Sequence, residues 1–142
     1  MAVTDTSAGF RPMYRLSGGP TTVQTHTFKD DETLYKGDLV NLESGEIDLA
    51  ATDDSALLGV VLKTTTGTDS TTTVEVIVDD DMVYGVYDAN ARAAGVALDI
   101  SGSAGAQTVA SPGTNADLIV VAPSTADELT LVRINPAEHA YA

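Results

Sequence analysis

The sequence predicts an all-β fold, a small antiparallel barrel with one short helix and an extended N-terminal arm, and three observations lead there. Short apolar runs recur about every ten residues between clusters of Gly, Asp, Ser and Thr, the punctuation of strands and turns. Val74, Val76 and Val78 recur at every second position with Glu75 and Asp79 between and beside them, a period that suits a strand and not a helix. No strand pattern alternates with a long helical one, as a parallel sheet would require, and closing an antiparallel sheet removes its adhesive edges.

Taken in order, residues 1–20 contain Gly9, Pro12, Gly18, Gly19 and Pro20 without sustained alternation, and read as a flexible arm ahead of a single domain over residues 21–142. Residues 22–28 are rich in β-branched side chains and form a strand. Residues 34–42 hold two short strands or one bent strand, kinked at Lys36-Gly37-Asp38. Ser44-Gly45 turns the chain into a strand at residues 47–49. Residues 56–63 are almost continuously apolar, the mark of a strand buried on both faces, and Gly59 within them implies a bulge or a closely approaching backbone. The Thr-rich tract 64–73 has no apolar anchor and reads as a flexible loop or hairpin tip. Residues 74–78 and 82–87 are strands, joined as a hairpin by Asp79-Asp80-Asp81. Residues 89–94 are the helix, with Asp88 as N-cap and Gly95 as C′ residue. Strands follow at 97–100, 108–110, 118–121 and 129–134, separated by Gly102, Gly105, Pro112-Gly113 and Pro123. The expected core is Leu58, Val60, Leu62, Val74, Val76, Val78, Leu98, Ile100, Ile119, Val121, Leu129 and Leu131.

Composition bounds the function. At 142 residues the chain fits one domain, and 43% hydrophobic against 20% charged residues is enough to build a core. Seven Lys and Arg stand against 21 Asp and Glu, a net charge of -14, which argues against a nucleic-acid binder, since phosphate neutralisation needs a basic face. There is no cysteine, so disulfides, thiolate metal sites and a cysteine nucleophile are excluded. The longest apolar run, residues 57–62, is far too short to span a membrane, and Asp5 stands where a secretory signal needs a basic end, so the chain is expected to be soluble and unprocessed.

The chemistry-bearing residue types form no recognisable constellation. His26 and His139 are far apart, no nucleophile elbow surrounds Ser101 or Ser103, and no Walker, dinucleotide or His-Glu-x-x-His pattern occurs. His26 reads as an outward-facing strand residue and His139 as a solvated tail residue. The clusters Asp30-Asp31-Glu32, Asp53-Asp54 and Asp79-Asp80-Asp81 lack the alternating ligands and central Gly of a calcium loop, and read as solvated turns. No catalytic residue, metal or cofactor is expected. Aromatic residues make up 5% of the chain with no Trp, a poor platform for stacking a sugar. The arm is different. Arg11 and Arg15 against Asp5 leave residues 1–28 at +1, so the rest of the chain carries -15 of the total -14. Phe10, Arg11, Met13, Tyr14 and Arg15 combine aromatic and cationic side chains, the types that dominate interface energetics, and are the candidate docking element. The alternative placement for them is folded back along the domain or an oligomer seam.

The run Thr33-Leu34-Tyr35-Lys36-Gly37-Asp38-Leu39-Val40, then Leu57-Leu58-Gly59-Val60 and Tyr84-Gly85-Val86-Tyr87, resembles the head decoration, or capsid cement, proteins of tailed bacteriophages. Residues 88–100, Gly105 and Leu131-Val132-Arg133-Ile134-Asn135-Pro136 extend the likeness, which covers about residues 20–140 through spaced small and apolar residues. The resemblance implies a small β-barrel or β-tulip-like domain and a non-enzymatic virion protein. Such a protein is made in the host cytoplasm, binds the outer capsid surface and bridges major capsid protein subunits, commonly as a homotrimer, with no nucleic-acid or membrane partner. The competing class is a virion-surface module that binds carbohydrate or a receptor, through the 64–73 loop or the acidic turns.

Overall fold

A computed structural model describes residues 9–52, 54–68, 71–112 and 116–141. The chain is all-β. Its strands are β1 (Arg11–Arg15), β2 (Val23–Phe28), β3 (Glu32–Leu34), β4 (Leu39–Glu43), β5 (Glu46–Leu49), β6 (Leu57–Val60), β7 (Thr65–Gly67), β8 (Thr73–Ile77), β9 (Met82–Asp88), β10 (Ala97–Ser101), β11 (Thr108–Ala110), β12 (Leu118–Ala122) and β13 (Glu128–Ile134). Among the described residues a single 3-10 turn, Pro136–Glu138, follows β13. Among the described residues no helix is long and apolar enough to cross a membrane.

The strands form a six-stranded sheet in the order β1-β9-β13-β12-β10-β11, a five-stranded sheet in the order β6-β4-β5-β2-β8, and a β3-β7 ribbon. Among the described residues every strand ladder is antiparallel except the short β2–β5 contact at Thr27 and Phe28, with one further parallel bridge from Leu57 to His139. No sheet is closed, which corrects the expected barrel. The five-stranded sheet comes nearest, since Val61, just past β6, bridges Val76 of β8, but one bridge is not a ladder.

The physical reason is that the middle of the chain serves two cores. Leu57 and Val60 of β6 face the core beneath the six-stranded sheet, with Phe10, Tyr84, Leu98, Leu118 and Ile134. Leu58 and Val61 face the other way into a second core with Phe28, Leu34, Val40, Ile47 and Val74, Val76 and Val78. This is the strand buried on both faces that its unbroken apolar run predicts. Gly59 also behaves as expected: an added Cβ there would stand 1.8 Å from the carbonyl oxygen of Ile77, so a neighbouring backbone does occupy the space.

Four local expectations are overturned. Residues 89–94 are not helical. The Asp88 carboxylate accepts from Asn90 N–H (3.1 Å) and from Arg92 Nε (2.6 Å), while the Arg92 backbone exchanges bonds with Ser124, so side-chain and cross-strand partners replace the helical ones. β8 and β9 do not form a hairpin. β8 pairs with β2 and β9 with β1 and β13, because the valines of β8 fill one core while Met82, Tyr84 and Val86 of β9 fill the other. The Thr-rich tract is anchored: residues 65–67 pair with β3, and Gly67 lies under the Phe28 ring, which an added Cβ would strike at 2.2 Å. The burial phase of β12 and β13 is reversed. Leu118, Val120, Val132 and Ile134 are buried and Ile119, Val121, Leu129 and Leu131 are half-buried; Thr130 points inward too, its hydroxyl bonded to that of Ser124 at 2.9 Å. Leu62 is also only partly buried, packed against the first core.

Candidate interaction surface

The N-terminal segment departs from the expected loose arm over its described part, residues 9–20. Gly9 and Phe10 cross the 36–38 kink backbone to backbone. Gly9 N–H donates to the Gln107 carbonyl and Phe10 N–H to that of Gly37, both at 2.8 Å. Gly9 (φ +99°) and Gly37 (φ +92°) adopt left-handed conformations here, and a Cβ on either would crowd the other chain at 3.2–3.3 Å. Beyond the crossing, β1 lies on the edge of the six-stranded sheet, Arg11 opposite Gly85 and Arg15 opposite Met82, with an extra residue bulged between Pro12 and Tyr14. Pro12, the bulge and the flanking arginines are devices that keep an edge strand from recruiting further strands.

The five candidate docking residues therefore separate. Phe10 is fully buried in the first core. Met13 and Tyr14 are about half exposed, with Leu16 beside them, and the Met13 sulfur lies over Gly85, where no side chain interferes. Arg11 is partly buried and engaged with a partner. Arg15 turns toward the body, its Nε 2.7 Å from Asp81 and its Nη1 3.4 Å from Asp79.

Those contacts redefine the aspartate triplet. It is an anchor for the N-terminal segment and not a solvated turn. Asp81 accepts from Ser17 N–H through its side chain (3.0 Å) and from Leu16 N–H through its carbonyl (3.0 Å). Asp79, buried, accepts from Thr22 N–H at 2.7 Å. The Asp80 carbonyl accepts from Arg133 at 2.9 Å. The alternate side chains of Asp79 and Asp81 share one side and converge on Arg15, while Asp80 contributes its backbone carbonyl. Burial pushes the Asp81 carboxyl up, but the bonds from Arg15 and Ser17 outweigh it and bring its pKa down to about 2. A depressed carboxylate contributes stability that is present above its unfolded value and lost as pH falls through the folded one. The segment 15–22 is therefore expected to loosen between about pH 4 and pH 2. Amide hydrogen exchange at Leu16 and Ser17 checks this, and Asp81→Asn should abolish that acid step; unchanged protection at pH 2 would refute it.

The other acidic clusters also carry structural roles. The Glu32 carboxyl is pushed up to about 7, first by burial and then by its hydrogen bond to Asp48. Asp54 accepts from Ala51 N–H at 2.8 Å, and Asp53 lies outside the described residues. Among the described residues no three His, Asp or Glu side chains converge as metal ligands. His26 sits half-buried on β2 beside Gln24. His139 is not a solvated tail residue but is buried: its ring bonds the Leu58 carbonyl through Nε2 (3.1 Å) and accepts from Tyr141 N–H at Nδ1 (3.0 Å). Burial lowers its pKa, and because Nδ1 accepts from Tyr141 N–H, the proton facing the Leu58 carbonyl is on Nε2.

No family model and no curated protein matches the sequence. Among solved structures, the fold is similar to that of the N base of head fiber gp8.5 of bacteriophage phi29. The TM-score is 0.52 and the identity 17%, over 84% of this chain and 98% of that one. At that identity the likeness is one of fold.

Proposed function

We propose that the chain is a non-enzymatic structural protein of a tailed-phage virion that binds the outer surface of the head and stabilises it by bridging major capsid protein subunits. The observation that carries this reading is the correspondence with nearly the whole of a phage head fiber base, an all-β domain of matching size. The sequence resemblance to head decoration proteins points independently the same way. Physical properties support it: many modest contacts repeated over a shell give strong retention by multivalency, and a net charge of -14 keeps a crowded particle from aggregating.

Bridging requires at least two contact surfaces per copy. The exposed part of β1, Met13 and Tyr14, is one, and it stands on a strand fixed at both ends. The oligomer is a homotrimer in this reading, and sedimentation at increasing concentration tests that separately. The head role is tested by adding purified protein to heads prepared without it, then measuring co-sedimentation and the temperature at which packaged DNA is released. Uptake at saturable occupancy with a higher release temperature is the expected result, and absence of uptake overturns the proposal. Deleting residues 2–19 would remove Phe10 and β1 together and is expected to lower the melting temperature, so contact is tested instead by Met13→Ser with Tyr14→Ser.

A further inference from the structure

The seven Lys and Arg residues are unequally placed. Arg15, Lys29 and Arg92 are ion-paired with carboxylates, Arg133 donates to the Asp80 carbonyl, and Arg11 is engaged as well. Lys36 and Lys63 are exposed, and among the described residues neither side chain has a partner. Carboxylates outnumber cations three to one, 21 against seven, so two lysines without one are the exception.

They are also neighbours. Leu34 pairs with Thr65 in the β3-β7 ribbon, Lys36 N–H donates to Thr64 Oγ1 (3.0 Å), and Gly37 N–H donates to the Val61 carbonyl (3.0 Å). Residues 35–37 therefore run antiparallel beside residues 61–64, which places Lys36 and Lys63 on adjacent chains. Like charges on adjacent chains repel, a cost that an anionic partner turns into attraction. Glu75 lines the groove next to Lys63 but makes no ion pair with it.

Next to Lys36 in the chain stands Tyr35, 43% exposed. Its ring lies against Gly105, where an added Cβ would come within 2.8 Å of it. Buried Asp38 fixes this arrangement from behind, accepting from Tyr35 N–H at 2.8 Å and from Gly105 N–H at 3.0 Å. The aromatic anchor is thus held in place before any partner arrives, which lowers the entropic cost of binding.

We infer that Tyr35, Lys36 and Lys63 form a preorganised docking surface for an acidic protein surface. Its identity as the capsid shell rests on the function proposed above. A protein partner fits better than a polyanion, because two cations neutralise few phosphates while a fixed tyrosine beside threonine hydroxyls suits a folded surface. Phe10 N–H bonds to the Gly37 carbonyl, so the N-terminal segment crosses the backbone one residue from Lys36.

The test compares wild type, Lys36→Glu with Lys63→Glu, Lys36→Ala with Lys63→Ala, and Tyr35→Ser for binding to heads prepared without the protein, over a range of salt. Lys29→Glu, which changes the net charge as much as the alanine pair does, serves as a control elsewhere on the surface. Both lysine pairs and Tyr35→Ser are expected to weaken binding about tenfold or more, with the charge reversal weakest and its salt dependence inverted, and the alanine pair least salt-dependent. The lysine variants should melt as wild type does, since neither side chain has an intramolecular partner. Equal binding by wild type and the charge-reversed variant overturns the patch while leaving the head role intact. Failure of wild type to bind overturns the head role and the patch's partner together. Loss of self-association in the lysine variants with undiminished head binding also overturns it, because the patch then joins copies of this chain.

Discussion

Replacing Gly59 by alanine is expected to destabilise the domain by about 3 kcal/mol or more, the upper end of what overpacking costs, because the obstacle is backbone. The new Cβ would meet the Ile77 carbonyl oxygen at 1.8 Å and its carbon at 2.8 Å, so β6 and β8 must separate. These strands lie between the two cores, and parting them disturbs both. Gly45 is the natural control, with φ at +83° but open space around it. Gly45→Ala therefore bears only left-handed strain, about 1–2 kcal/mol. Urea denaturation of the pair checks the contrast; equal midpoints would mean that β6 and β8 do not approach as described.

Gln107→Leu is expected to cost roughly 2–5 kcal/mol despite its similar volume, from buried backbone groups left without partners. The Gln107 side chain is fully buried and reaches from the β10–β11 connection into the β4–β5 region. Its Oε1 accepts from Leu39 N–H at 2.6 Å, and its Nε2 donates to the Leu39 and Ala50 carbonyls, both at 3.0 Å. Leu39 O retains a bond from Ala50 N–H, so the orphans are Leu39 N–H and Ala50 O. Because the Gln107 carbonyl also receives Gly9 N–H, loosening this residue should release the start of the N-terminal segment. Calorimetry together with exchange at Gly9 and Phe10 measures both effects, and a wild-type melting curve would refute the assignment.

How much of this was legible in the sequence depended on whether the information was local. The strand at residues 57–60 and the close backbone at Gly59 follow from an apolar run interrupted by one glycine, and both are present. The phase of β12 is not local: residues 118–121 are all apolar, so either set of alternate residues fits the core until the partner strand is known. On β13 the inward Thr130 misleads, because the Ser124 hydroxyl that satisfies it lies on another segment. Phe10 to Arg15 look like a docking element by composition, and nothing nearby in the sequence shows that β9 receives them. A signal did exist in the positive charge of the arm against three consecutive aspartates, which is the contact that Arg15 makes. The pairing of Lys36 with the Lys63 segment depends wholly on the β3-β7 ribbon.

The position of β9 between β1 and β13 governs how the molecule is born. Synthesis runs at about 5–20 residues per second, so a chain of 142 residues takes roughly 10–30 s to make. β1 emerges ahead of the other described strands, yet its partner β9 comes some seventy residues later, and β9 waits in turn for β13. The last described residues matter as well, since Ala140 N–H bonds the Leu57 carbonyl and His139 the Leu58 carbonyl beside it. A nascent chain halted before β13 thus leaves the far edge of β9 unpaired and Leu57 and Leu58 without their C-terminal cover, the kind of surface on which chains associate wrongly. Non-local strand order of this sort places folding on the millisecond-to-second scale. Folding on that scale is fast compared with translation, so completion is timed by the arrival of β13 and residues 139–140 and not by the search for structure.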